Sequence, residues 1–403
     1  MIPATDQHVD EVGVVEFTRD LVRTPTVFDP ERGMSEAPAA CLVATKMRSF
    51  GWEPVVEEVE PGRPNVIAVI EGGHPGRRLL FEGHTDVVTE GSRDEWTVDP
   101  FGAEVIDGRI YGRGSADMKS GVAAMILAVR AVELSGPFPG SIVVAALVDE
   151  EGGMVGVKDF LSRGHGSGID AAIVCEPEEN EICCVAKGAI RLGITVSGRM
   201  AHGAMPHMGV NPNLAVAALI DGLTSLEEQI RGQYGSNPHL GHTHITPTVV
   251  EGGDRQQHNV IPGRSWLGID IRTTPEIDHA TLLREIESLA IETGTLHETG
   301  MDIEVIEERP PVDIDESHPI ATAVHDAHLA VEGTAPVFGG VPGTTDGTIL
   351  LRDGGIPNVV YGPGPKWIAH QPDEYVEVSD IVNKTKVYAR AALNFLNETE
   401  SAP

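Results

Sequence analysis

An α/β fold with a small α+β unit set into it is what this sequence predicts, on three observations. Short apolar runs at residues 79–88, 141–148 and 171–175 alternate with stretches whose apolar residues recur at helical spacing, as in a sheet covered by helices. Each of those runs ends in polar residues able to do chemistry: His84 and Asp86, then Asp149-Glu150-Glu151, then Glu176. In open α/β sheets, sites collect at the carboxyl ends of strands. From about residue 188 the order changes to strand, helix, two strands, helix and strand, the pattern of a separate small unit.

The elements follow in order. Val14, Phe17 and Leu21 lie at helical spacing in residues 9–23, which Thr24-Pro25 closes, and residues 38–50 form a second amphipathic helix with Pro38 in its first turn. Residues 55–59 and 65–71 read as strands leading to the central run at 79–88. Side chains two apart on a strand share a face, so His84 and Asp86 leave its end on one side. A histidine there can give one ring nitrogen to a metal while a nearby carboxylate holds the other; a plain structural hydrogen bond has the same spacing. A long polar loop follows at 89–100, then Gly112-Arg-Gly-Ser-Ala-Asp117 just before a clear helix at 122–134. Asp117 suits either a helix cap or a metal ligand.

Three adjacent carboxylates at 149–151 repel one another and lose hydration, so without cations their pKa values are driven up. If strand alternation persists to this point, Glu150 and Glu151 face opposite ways. In the inserted unit the strands are expected at 190–197, 246–251, 266–272 and about 303–308, with helices at 213–229 and 280–293 and a loop carrying His202. The main fold resumes with a helix at 319–331, a Gly-rich loop Gly343-Thr344-Thr345-Asp346, a strand at 357–361, His370 in a loop, and a closing helix at 379–396. The expected division is therefore 1–187, 188–300 and 301–403.

Acidic residues outnumber basic ones by 61 to 29 and leave a formal charge of -32, which argues against nucleic acid or an anionic membrane as partner. The first ten residues lack the basic start and apolar core of a signal peptide, and no run is long enough to span a bilayer, so a cytoplasmic location is expected. Cys41, Cys175, Cys183 and Cys184 contain no Cys-x-x-Cys pair and read as reduced, buried thiols.

His84, Asp117, Glu151, Glu176 and His370 form a mixed nitrogen and oxygen set suited to zinc, with more donors than one tetrahedral ion takes. Two ions sharing one carboxylate use all five, which leaves Glu150 to move the proton of an attacking water.

His84-x-Asp86, Gly-Ser-Ala-Asp117-Met-Lys, Asp149-Glu150-Glu151, Cys-Glu176-Pro, Ala-His202-Gly-Ala-Met-Pro, Asn259-Val-Ile-Pro, Gly-Thr-Thr-Asp346 and Ala-His370-Gln-Pro-Asp-Glu374 occur in that order. Nearly the whole chain thus resembles the dinuclear zinc amidohydrolases, which include acetylornithine deacetylase, succinyl-diaminopimelate desuccinylase, the aminoacylases and carboxypeptidase G. The resemblance implies a zinc-peptidase-like mixed sheet flanked by helices, with the inserted unit as a lid that often dimerises. It implies two Zn2+ per subunit, with Co2+ or Mn2+ also accepted: His84, Asp117 and Glu176 hold one, and Asp117, Glu151 and His370 the other. Asp86 then supports His84, Glu150 is general base and acid, and His202 reaches the partner subunit's site to stabilise an oxyanion. Asn259, Arg272, Gly343 and Thr344 become candidates to hold a substrate carboxylate, although Arg272 equally suits an internal salt bridge. A cis peptide is implied after Asp117.

The function implied is hydrolysis of an amide C-N bond in a small N-acyl amino acid. A dipeptidase, a carboxypeptidase or an aminohydrolase of an unusual C-N bond is the alternative, and a catalytically silent binding protein a third. Ile190 departs from the pattern, since that lid strand often carries an aromatic. His207, His239, His242, His244 and His258 have no counterpart in it.

Overall fold

The computed structural model describes residues 5–398. Met1 to Ala4, the start of the segment read for a leader, and the residues after Glu398 lie outside it. The described chain divides into two compact units, one of residues 5–184, 314–340 and 345–398, the other of 185–313 and 341–344.

The first unit is built on a mixed sheet. Its strands run, in spatial order, Val55–Glu60, Arg63–Glu71, Phe138–Leu147, Gly73–His84, Ala171–Val174, Asn358–Val360 and Glu181–Ala186. The strand Gly73–His84 lies parallel to both neighbours, and Ala171–Val174 is parallel to Asn358–Val360. Buried on both faces, the central strands need apolar residues at nearly every position, which is why they appear in sequence as unbroken runs. Leu79, Leu80, Phe81, Val144, Ala145 and Ile173 are fully buried.

The helix Val378–Asn397 packs against both Ser120–Leu134 and Pro319–Glu332, and its Tyr388 meets Phe81 of the central strand with ring centroids 5.4 Å apart. The helix Ser120–Leu134 sits so close to the sheet that a Cβ on Gly121 would overlap the carbonyl oxygen of Cys175. Backbone cannot retreat as a side-chain tip can. Gly121→Ala is therefore expected to destabilise the protein by about 1–3 kcal/mol through overpacking, which outweighs the roughly 1 kcal/mol gained in helix propensity; a thermal melt no lower than wild type would contradict it.

The second unit is a four-stranded antiparallel sheet in the order His244–Gly252, Arg264–Thr273, Gly188–Ser197 and Gly300–Arg309, with helices Pro212–Tyr234 and His279–His297. Ile190, Leu192, Ile194 and Val196 alternate onto one face and pack with Leu219, Leu223, Leu282 and Ile286. Ile190 is thus a core residue of this unit. The expected division after residue 300 falls at the head of a strand whose whole length pairs with Gly188–Ser197. For that reason the compact unit runs on to Asp313, and it also takes back residues 341–344.

Two local expectations change. The strand at residue 138 stops at Leu147, and Asp149 adopts a left-handed backbone with φ of 67°, so strand alternation does not set the directions of Glu150 and Glu151. Cys41 is exposed, while Cys175, Cys183 and Cys184 are buried. Among the described residues no helix is long and apolar enough to cross a membrane.

Candidate active site

Parallel strands with matched register bring their carboxyl ends to one edge. His84 ends one and pairs with Leu147, just before Asp149; Val174, just before Glu176, ends the next. Three segments far apart in sequence thereby deliver their polar residues to one place.

At the centre stands Asp117. Its Oδ1 lies 3.1 Å from His84 Nε2 and its Oδ2 lies 3.3 Å from His370 Nε2. Glu176 Oε1 is 3.2 Å from the same nitrogen of His84, and Glu151 Oε1 is 2.8 Å from that of His370. Two triads result, His84-Asp117-Glu176 and Asp117-Glu151-His370, and within each the donor atoms lie within 4.8 Å of one another. The Asp117–Met118 peptide is cis. Asp117 does not cap the following helix, whose N-cap is Lys119. A third group of possible donors, Glu178, Glu181 and Cys183, is different in kind: Lys366 Nζ is 2.7 Å from both carboxylates and already supplies the cation.

The electrostatics of the two triads show what they need. Burial, together with neighbouring Asp117, pushes Glu176 up to about 8. Burial also raises Glu151, and it pushes Glu150 well above the usual carboxylate range. Hydrogen bonds to Asp117 and Glu151 lift His370 to about 10. At His84 burial opposes the charged ring, but the carboxylates of Glu176, Asp117 and Asp86 together outweigh it and raise the pKa well above normal. Such shifts are what a buried cluster of like charges produces when no cation balances it. Mixed imidazole and carboxylate donors around a shared aspartate fit two divalent ions, and such ions reverse these shifts.

Metal uptake should therefore release protons. Every group whose pKa is raised must lose its proton to act as a ligand or base, so affinity rises with pH. Between pH 6 and 8 we expect release of about two or more protons per two ions, read by calorimetry in buffers of different ionisation enthalpy. Uptake without proton release would contradict the assignment.

Asp86 faces two partners. The ring Nδ1 of His84 meets the backbone oxygen of Asp86 at 3.0 Å and its carboxylate at 3.5 Å. That carboxylate also accepts the backbone N–H groups of Glu150 at 3.3 Å and Glu151 at 3.1 Å. It orients the turn that carries both glutamates. Glu150 belongs to neither triad and is nearly buried.

Sequence reasoning missed several supports. Glu374 accepts the backbone N–H groups of Ala116 and Asp117 and a 2.5 Å bond from Arg113, and all of these groups are buried but Asp117. Asp373 accepts both the N–H and the hydroxyl of Thr97 and so ties down the loop at 89–100. Glu82 is fully buried beside Asp346 and Glu176, and burial first, then those carboxylates, pushes its pKa well above the usual carboxylate range. A charged residue inside an apolar run was the only sequence signal for it.

The remaining candidates lie in the second unit. His202 is exposed on the short strand Ala201–His202, paired with Val260–Ile261, and its Nδ1 accepts the N–H of Ala204. The backbone oxygen of Asn259 accepts the N–H of Gly203, so His202 and Asn259 lie beside each other at one end of this two-stranded ladder. Arg272 is forked onto Asp270 at 2.8 and 3.3 Å, and Thr344 accepts from Arg309. Among the described residues no other atom lies within 4 Å of where a Cβ on Gly343 would stand.

Comparison with known proteins adds the following. Residues 80–394 match the model of Peptidase family M20/M25/M40. The chain is 32% identical over 388 residues to the succinyl-diaminopimelate desuccinylase of Rhodospirillum centenum, covering 93% of this chain and 95% of that one. The corresponding protein of Methylobacterium radiotolerans is 31% identical, with 96% and 97% covered. Among solved structures, the metallo-carboxypeptidase Sso-CP2 of Sulfolobus solfataricus has a TM-score of 0.78 at 19% identity, covering 96% of this chain and 99% of its own. The di-peptidase Dug1p of Saccharomyces cerevisiae has a TM-score of 0.75 at 17% identity, covering 98% and 99%. With a match over most of its length and full-length relatives above 30% identity, the chain belongs to Peptidase family M20/M25/M40, and it is a metal-dependent hydrolase of amide bonds.

Proposed function

We propose that the chain removes the acyl group from a small N-acyl amino acid, with two zinc ions held by His84, Asp117 and Glu176 and by Asp117, Glu151 and His370. One observation carries this reading: the two oxygens of Asp117 each face a different histidine, and each histidine faces a further glutamate. A single aspartate in that position serves two sites at once. Co2+ and Mn2+ suit the same donors.

When bound, the ions supply Lewis acidity toward the amide carbonyl and acidify water. Glu150 takes the proton from the attacking water and passes it to the departing nitrogen. Asp86 holds the N–H groups of Glu150 and Glu151, so base and ligand keep a fixed spacing. His202, whose Nδ1 is already used as an acceptor, keeps Nε2 to donate to the oxyanion. Asn259, Arg272, Gly343 and Thr344 hold the substrate carboxylate. That task requires Arg272 to share its fork with Asp270.

The inserted unit, expected at residues 188–300 between catalytic parts 1–187 and 301–403, serves as lid and dimer contact, and His202 acts on the partner's site. The homodimer is cytoplasmic. Support for the substrate class comes from the relatives above, whose names specify removal of a succinyl group from an amino acid.

The test is amine release by zinc-reloaded protein from N-succinyl, N-acetyl, N-formyl and N-carbamoyl amino acids and from dipeptides. Release from N-acyl amino acids is expected. Turnover confined to dipeptides would replace this reading with a dipeptidase, and silence across the set with two ions bound would defeat both.

A further inference from the structure

We infer that Arg63 is a positioning residue for the reaction, acting through Asp149 on the turn that carries Glu150 and Glu151; the inference rests on the reading of Glu150 as base. Arg63 opens the strand Arg63–Glu71, remote in sequence from every candidate ligand, yet its side chain is 4% exposed and all its directions are in use. Nε and Nη2 fork onto Glu36, which is fully buried; Nη2 also meets Asp149 Oδ1 at 2.6 Å; Nη1 meets the more exposed Glu60 at 3.2 Å. The guanidinium plane lies 3.8 Å from the centre of the Phe28 ring, which fixes its orientation.

Asp149 transmits this position. Its backbone is left-handed, a conformation that costs a non-glycine residue energy and persists only where the surroundings enforce it. The enforcement is visible. Oδ1 is held by Arg63, while Oδ2 accepts the N–H groups of Gly153 at 2.8 Å and Val155 at 3.3 Å, and the backbone oxygen accepts from Met154 at 2.7 Å. Asp149 thus staples the turn from one side while Asp86 holds the N–H groups of Glu150 and Glu151 from the other. Glu150 and Glu151 project from a segment gripped at both ends. Release of the Arg63 end lets the base and a ligand shift together, and a displacement near 1 Å at such groups costs about 100-fold in rate.

Lysine at position 63 keeps the charge but, as a single point, cannot hold Glu36 and Asp149 at once. In Arg63→Lys we expect kcat to fall about 30-fold or more with KM within about twofold, since the loss is of reacting geometry and not of substrate contacts. Co2+-loaded Arg63→Lys should show an altered visible absorption spectrum, because Glu151 is a ligand. Asp149→Asn should give a similar fall, and the double variant should fall no further than the worse single one, as two links of one chain must. Glu60→Gln, which touches only the more exposed partner, should leave kcat and spectrum unchanged.

A purely structural role predicts something else: Arg63→Lys with a lower melting temperature but wild-type kcat and spectrum well below it. That result, or losses that multiply in the double variant, overturns the inference. If Arg63→Lys does not fold, Asp149→Gly carries the test, since glycine accepts the left-handed backbone and removes only the staple. Glu150→Gln separates the two readings. Full turnover there defeats the base assignment, while the Co2+ spectrum of Arg63→Lys still reports on the turn; a dead Glu150→Gln with an unaffected Arg63→Lys defeats the positioning role alone.

Discussion

Glu150→Gln will lower kcat by about 10²- to 10⁴-fold, the usual worth of a positioned general base, with two divalent ions per chain retained. Retention follows from the geometry: Glu150 is outside both triads, and the N–H bonds that Asp86 accepts from the turn do not involve its side chain. Glutamine has the same shape but cannot take a proton. A second effect has the opposite sign. In the metal-free chain burial raises the Glu150 pKa well above its usual value. A carboxyl so shifted favours folding only below its ordinary range and opposes it at pH 7, where the unfolded chain ionises freely. The metal-free variant should therefore melt at or above the wild-type temperature at pH 7, while the loaded variant is inactive. Steady-state kinetics, metal analysis and a melt decide it, and turnover near wild type would end the assignment of Glu150 as base.

What the sequence made legible was what strands declare locally. His84, Glu151 and Glu176 each follow an apolar run, and once such runs are read as parallel strands their ends must meet. Asp117 and His370 stand in loops, where donor chemistry made them candidates but only the ordered resemblance to a family divided the five donors between two ions. Of Asp86 the His-x-Asp spacing shows only the neighbour in sequence: the turn at 149–151, more than sixty residues away, also brings N–H groups to that carboxylate. Asp149 looked like one more carboxylate in a row because its left-handed backbone and its bond to Arg63 depend on the folded chain. The strand expected at about 303–308 counts with the inserted unit, while the expected division stands at residue 300. Whether residues 300–309 belong to that unit is decided by strand pairing with 188–197, and no local feature of an amphipathic strand names its partner.

Glu374→Ala should be the most destabilising single change at this site, because Glu374 is the one anion in a fully buried contact that joins the His370 loop to the Asp117 loop. Arg113 is 2% exposed and its Nη1 bonds Glu374 at 2.5 Å. Removing the carboxylate strands that guanidinium in the interior, and breaking a buried pair in this way costs about 3–5 kcal/mol. The other carboxylate oxygen, Oε1, accepts the N–H groups of Ala116 and Asp117, so its loss also frees the backbone of the residue that both triads share. Burial, against the pull of Arg113, raises Glu374 to about 7, so the pair is not an ideal ion pair even in the wild type. This decides between two substitutions. Glu374→Gln keeps an acceptor for the backbone N–H groups and loses only the charge, and it should destabilise less than Ala while still weakening metal binding. Denaturant unfolding with and without zinc separates the effects: a loss of stability in Ala that zinc does not restore, together with a partial loss in Gln, is expected. Equal stability of Glu374→Ala and wild type would mean that Arg113 finds another partner and that the shared aspartate is held by its cations alone.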